Sequence, residues 1–171
     1  MGLFRGRGSS AGSVVLLVLA AAVLGRPWEH VRLGDPPSPS ATAYVVRAVD
    51  GDTIEVRLDG HHEDVRYIGI DTPETVKPDT PVQCFGPQAH RFNSHLVTHQ
   101  RVRLVFGEER RDVYGRLLAY VYLGRRFVNA ELARRGFART LTIPPNDRFA
   151  RRFKRLQTAA ARAGRGLWGA C

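Results

Sequence analysis

Residues 44–70, YVVRAVDGDTIEVRLDGHHEDVRYIGI, consist of three apolar runs separated by two short polar joins. Tyr44 to Val49 is β-branched and apolar. Ile54, Val56 and Leu58 alternate with Glu55 and Arg57, the period of a strand with one buried face. Asp59-Gly60 is a hairpin turn signal, because both turn positions need a positive φ. The next run, Val65-Arg66-Tyr67-Ile68-Gly69-Ile70, predicts a third strand, so the segment reads as a meander. His61-His62, beside the hairpin, reads as a solvated turn.

Moving towards the C-terminus, Gly86-Pro87 opens a predicted helix with an apolar stripe of Ala89, Phe92 and Leu96. Strands follow at Val102–Phe106 and Leu117–Leu123, with a tight turn at Gly124. Asn129 is placed to cap a short helix that ends at Gly136, with Leu132 facing inward. Pro144-Pro145 then stops the chain, and Asn146 is placed to cap a last helix that ends at Gly164. On that helix Phe149, Phe153, Leu156 and Ala160 recur on one face, opposite Arg148, Arg151, Arg152, Arg155 and Arg162. The pattern predicts an α+β domain, mainly β: a closed five-stranded barrel of the oligonucleotide-binding (OB) type with about three helices packed around it.

Moving towards the N-terminus, residues 26–41 contain Asp35-Pro36-Pro37-Ser38-Pro39-Ser40, a linker that cannot pack regularly. The domain is therefore expected over residues 42–171. Arg5 and Arg7 precede an apolar or small-residue run from Ala11 to Gly25, which is short against the roughly 20 residues of a membrane span. Residues 1–25 read as a secretory signal peptide, with an uncleaved signal anchor as the alternative. The expected location is extracellular, or membrane-anchored in the alternative case. Contact with a membrane would be transient and confined to this segment, and no stable protein partner is implied: a monomer is expected.

Hydrophobic residues make up 43% and charged residues 25%, an ordinary globular composition that excludes a disordered chain. The balance of charge is less ordinary: Lys+Arg 26 against Asp+Glu 16, a formal +10, almost all of it arginine. Such a field attracts polyanions, and arginine's planar fork favours phosphate. Two cysteines, Cys84 and Cys171, lie beyond the apolar run. In an oxidising compartment they read as one disulfide. So widely separated a pair offers no zinc ligand cluster.

Two short segments concentrate acid in this basic chain: Asp50-Gly51-Asp52-Thr53 at the first strand join, and Asp71-Thr72-Pro73-Glu74 past the third strand. Taken alone, the first also reads as a tight turn and the second as a helix start. On neighbouring strands they would bring Asp52, Asp71 and Glu74 to one spot, where carboxylates repel unless a cation sits among them. All-oxygen donors favour a hard cation, Ca²⁺ or Mg²⁺. Arg66, within an apolar strand, needs an anionic partner, and Arg116 follows in Asp112-Val113-Tyr114-Gly115-Arg116. Metal, carboxylate and two arginines suit phosphodiester hydrolysis.

In order and spacing, Val49-Asp50-Gly51-Asp52-Thr53, Arg66 through Glu74, and Tyr114-Gly115-Arg116 resemble the three motifs of the staphylococcal (micrococcal) nuclease family. The resemblance spans about Ala43 to Trp168. It implies a Ca²⁺-dependent enzyme cleaving DNA and RNA to 3′-phosphorylated products. Asp52 and Asp71 would ligate calcium with the Thr72 carbonyl. Glu74 would act as general base or water-positioning group, while Arg66 and Arg116 would grip the scissile phosphate. Asp50 would orient the site from behind, and Tyr114 would contact a neighbouring phosphate. Val113 stands where the family's reference member has lysine, and Thr142-Ile143-Pro144-Pro145 where it has tyrosines, so substrate grip and base stacking should differ. The alternative is an OB-fold module that binds nucleic acid without cutting it.

Overall fold

A computed structural model describes residues 39–75 and 80–171; the expected signal segment and most of the expected linker lie outside the described residues. Strands β1 (Ser40–Ala48), β2 (Thr53–Leu58) and β3 (His61–Tyr67) form the antiparallel meander. The first strand starts at Ser40, two residues inside the expected linker. β5 (Arg101–Arg111) pairs with the other edge of β1, and β6 (Leu117–Leu123) pairs with β5. The barrel closes where β3 meets β6 in parallel, Val65 opposite Leu117 and Tyr67 opposite Ala119. This is the five-stranded OB-type barrel that the alternation predicted.

Closure depends on the curvature of β1. Its first half pairs with β5 and its second with β2, and the register slips between Val45 and Arg47. An irregularity of this kind bends and twists a strand enough to serve two neighbours. The alternating residues of five strands meet inside: Val45, Ile54, Val56, Val65, Val102, Leu104 and Val121 are fully buried. The turn at Asp59 and Gly60, with φ of 49° and 85°, has the left-handed pair that suits a two-residue hairpin.

The remaining elements are β4 (Ile70–Asp71), α1 (Gly86–Val97), β7 (Arg126–Phe127), α2 (Val128–Arg135), β8 (Arg139–Thr140), α3 (Ala150–Arg162) and α4 (Leu167–Ala170). In α1, Ala89, Asn93 and Val97 are buried, while Phe92 and Leu96 pack at the core's margin. Phe149 and Phe153 join Tyr120 and Phe127 in an aromatic cluster that seats α3 on the barrel. The Cys84–Cys171 disulfide ties the C-terminus to the residues preceding α1.

Four local expectations are corrected. The third strand ends at Tyr67, and Gly69, at φ 84°, turns the chain into the separate β4. His61 and His62 belong to β3, with His62 Nδ1 2.6 Å from Glu55 Oε1. Asn129 is not a cap: α2 starts at Val128, and the buried Asn129 amide accepts the Val121 N–H and donates to the Ile68 carbonyl, both at 2.9 Å. Asn146 does not cap α3 either; its side chain accepts the Glu109 N–H at 3.2 Å and donates to the Glu109 carbonyl at 2.9 Å. A primary amide offers the same donor and acceptor as a peptide group, so a buried asparagine can complete a strand's backbone bonding where a neighbour strand is missing.

Candidate active site

The join between β1 and β2 is tight because its backbone closes on itself, Val49 N–H donating to Thr53 O at 2.9 Å. Asp50 Oδ1 accepts the Asp52 N–H at 2.9 Å, which turns the Asp52 side chain towards the end of β4. There Asp52 Oδ2 accepts both the Thr72 N–H at 2.6 Å and the Thr72 hydroxyl at 3.0 Å. Gly51 makes this approach possible: a Cβ at that position would stand 2.6 Å from Thr72 Oγ1. The two acidic segments are therefore in direct contact, although neither their separation in sequence nor their composition requires it.

Arg66, on β3 and facing the same cleft, lies between them. Its guanidinium is 2.9 Å from Asp52 Oδ1 and 2.8 Å from Asp71 Oδ1, and it donates to the Ile70 carbonyl at 3.0 Å. Burial pushes the Asp52 carboxyl up to about 7, against the opposing pull of Arg66 and the Thr72 amide; neighbouring Asp50 and Asp71 add to the rise.

Glu74 is held by its backbone. The Glu74 N–H donates to Gln83 Oε1 and the Gln83 N–H donates to the Glu74 carbonyl, both at 2.9 Å. The first residue of α1 packs on the same segment: a Cβ on Gly86 would stand 2.9 Å from the Glu74 carbonyl oxygen. Behind the Asp50 loop, Asn93 of α1 donates to the Asp50 carbonyl and accepts the Tyr67 hydroxyl, both at 3.0 Å. Arg116 is positioned by Asp112, which accepts its backbone N–H at 2.9 Å and its Nε–H at 2.7 Å. Tyr114 stands 81% exposed at the tip of that turn, its ring 5.4 Å from the Arg116 guanidinium carbon.

Asp50, Asp52, Arg66, Asp71, Thr72, Glu74, Tyr114 and Arg116 line one cleft of about 540 Å³ together with Asp64, so that five carboxylates (Asp50, Asp52, Asp64, Asp71 and Glu74) stand against two guanidiniums (Arg66 and Arg116). Asp64 was not identified from the sequence, although its place two residues before Arg66 puts both on one strand face. Asp112, Gln83 and Asn93 were also missed. Only Asn93 left a signal, as a polar residue four positions after Ala89 on the buried side of a helix. A second groove of about 300 Å³ shares Arg66, Tyr114 and Arg116 with the cleft, and is walled by Leu118, Leu141, Ile143 and the 93%-exposed Val113.

The donor set fits a hard divalent cation. Carboxylates outnumber guanidiniums in the cleft, so an anionic ligand meets net repulsion until a cation is added, and every protein donor on offer is oxygen. The carboxylates are spread along the cleft: among the described residues no three acidic, histidine or cysteine side chains converge as a ready-made cage.

An OB-type barrel with an acidic, two-arginine cleft at the ends of β3 and β4 defines a class of domain, and sequence comparison gives its family. The family described as staphylococcal nuclease homologue matches residues 64–170. The thermonuclease of Staphylococcus intermedius is 42% identical over 159 residues, covering 90% of this chain and 95% of that protein. The thermonuclease of Staphylococcus hyicus is 44% identical over 127 residues, covering 74% of this chain and 75% of its own. Endonuclease YncB of Bacillus subtilis (strain 168) is 40% identical over 124 residues, 71% of this chain and 59% of that protein. The chain belongs to the staphylococcal nuclease family.

Proposed function

We propose that this chain is a secreted, Ca²⁺-dependent nuclease that hydrolyses DNA and RNA to 3′-phosphorylated products. The observation that carries the reading is the cleft itself: five carboxylates and two arginines, each arginine fixed by a carboxylate, at one end of a nucleic-acid-binding type of barrel. The thermonuclease and endonuclease relatives support the same class of reaction. Asp52, Asp71 and the Thr72 carbonyl would hold the cation, with Asp50 fixing the Asp52 backbone. When bound, the cation would screen the phosphate's charge and polarise it.

The side chains supply the rest. Glu74 would hold the attacking water, as general base or by orienting it. Water oxygen bonds to phosphorus as the bond from phosphorus to the 5′ oxygen breaks, leaving the phosphate on the 3′ side. Arg66 and Arg116 would donate to the oxygens that gain charge, and Arg116 would also serve the departing oxygen. Tyr114 would meet a neighbouring phosphate, and a base would rest against Leu141 and Ile143 rather than on an aromatic ring. The disulfide suits an oxidising, extracellular location. The chain would act as a monomer, touching a membrane only through its leader.

The test is degradation of DNA and RNA with Ca²⁺, then with excess chelator, and end-group analysis of the products. Calcium-dependent cleavage leaving 3′-phosphate is expected. Retention of uncut DNA would identify a binding module instead, and full activity with Mg²⁺ but not Ca²⁺ would overturn the metal assignment.

A further inference from the structure

The cleft does not account for the chain's positive charge, since acid outnumbers base there. The excess is concentrated at the C-terminus: from Arg148 to Cys171 the chain carries seven cationic side chains and no acidic one. Most of these lie on α3. Phe153 and Ala160 are its buried residues, and Arg151, Arg155 and Arg162 project from the opposite side, at i, i+4 and i+11. Arg47, Arg66, Arg111, Arg116, Arg134 and Arg135 are each paired with a carboxylate; Arg151, Arg155 and Arg162 make no ion pair among the described residues, nor do Arg57, Arg101 and Arg103, but only the first three share one helix face.

This arrangement works against the helix. Arg151 and Arg152 occupy the first turn, which holds no acidic residue, so they face the positive end of the helix dipole. Arg151 and Arg155 are like charges at i, i+4, which also disfavours the helix. A charge pattern that opposes local stability is expected where an outside anion compensates it.

From these observations we infer that the exposed face of α3 is a second nucleic-acid-binding surface, which holds the phosphate backbone of a long substrate outside the catalytic cleft. Arg151 and Arg162 are about 16 Å apart along the helix axis, a span of roughly five base pairs of duplex backbone. The helix sits against the strand that leads to the cleft: Gln157 Oε1 accepts the Thr140 N–H at 2.6 Å, and β8 pairs with β4, Arg139 opposite Asp71. An anionic membrane is the poorer occupant, because the large apolar side chains of α3 face the barrel and none on the cationic face is available to insert. The inference rests on nucleic acid being the ligand of the cleft, but the measurement that decides it is binding in chelator, not cleavage.

The experiment measures binding of the full chain to a labelled duplex in excess chelator over a range of NaCl, for the parent and for the triple variant Arg151→Gln, Arg155→Gln, Arg162→Gln. The triple variant should bind at least tenfold more weakly at low salt, and its log–log salt slope should shrink by about 2 to 3, the loss of three phosphate contacts. Arg→Lys at the same positions should keep the slope, and Arg57→Gln, Arg101→Gln, Arg103→Gln on β2 and β5 should leave it largely unchanged. Cleavage of a dinucleotide substrate, too short to reach α3, should be unaltered in the α3 variant. The inference is overturned if the α3 variant keeps the parent slope, or if the β2 and β5 variant loses as much. It is also overturned if the α3 substitutions weaken binding only to phosphatidylglycerol vesicles. A chain that binds duplex through α3 yet never cuts would sink the nuclease reading and leave this one standing.

Discussion

Gln83 holds Glu74 by the backbone from both sides, its side-chain oxygen accepting the Glu74 N–H and its own N–H donating to the Glu74 carbonyl, each at 2.9 Å. The clamp fixes where the Glu74 carboxylate starts, and Gln83 itself does not line the cleft. We expect Gln83→Ala to lower kcat about tenfold, the effect of one lost hydrogen bond on the reacting geometry, with KM and Tm little changed. Gln83→Glu keeps an acceptor at that position and should restore most of the rate. Steady-state kinetics of the two variants checks this, and a change confined to KM would contradict it.

Cys84 follows Gln83 directly, and its partner is the last residue of the chain, 87 positions away. Closing so long a loop restricts the unfolded chain by on the order of 4 kcal/mol. Replacing both cysteines by serine should therefore lower Tm by roughly 10 °C. Thermal denaturation with and without reductant reads the effect; the parent in reductant should behave as the double variant does.

Asn129 closes the seam between β6 and the end of β3 from inside a helix, with no exposure to solvent. Asn129→Ala leaves the Val121 N–H and the Ile68 carbonyl buried and unpaired. A loss of about 2 to 4 kcal/mol is expected, measured by urea denaturation. Asn129→Asp should also be destabilising, because it retains the acceptor but loses the donor.

Asp52 sets a pH dependence whose sign is fixed by burial. Its carboxyl lies at about 7 in the fold against 3.8 as the reference value, so the fold binds a proton that the unfolded chain has released. In chelator, the stability this provides is complete below about pH 4 and is lost as pH rises through 7. Asp52→Asn should flatten that slope, as seen by urea denaturation at pH 5 and pH 8 (about the two sides of the titration). A cation that needs the ionised carboxylate must displace the proton, so calcium should bind more tightly at the higher pH. Calorimetry in buffers of different ionisation enthalpy would detect the released proton.

Much of the barrel was legible from the chain because strand burial is written as alternation. Ile54 and Val56, Val65 and Tyr67, Leu117 and Ala119 each put every second residue inside, and Asp59-Gly60 and Gly124 mark turns by backbone freedom that other residues lack. The motif residues were legible for a related reason: Asp52, Arg66, Asp71, Glu74 and Arg116 are chemically costly residues recurring at set positions beside those strands. The two asparagines were misread because a cap and a buried backbone clip demand the same amide. Only the neighbouring strand, absent from local sequence, decides between them.

The sequence by itself determined the meander of the first three strands, the barrel class and the residue types of the cleft, since these follow from periodicity and from chemistry local to each segment. Tertiary structure alone decided that Gly51 lets Thr72 reach Asp52, that Arg66 bridges Asp52 and Asp71, that Asp64 shares their cleft, and that Gln83, just before α1, and Asn93, within it, brace the cleft from behind. These are contacts between distant segments, each set by how closely two backbones approach. Local propensity and spacing carry no term for that distance.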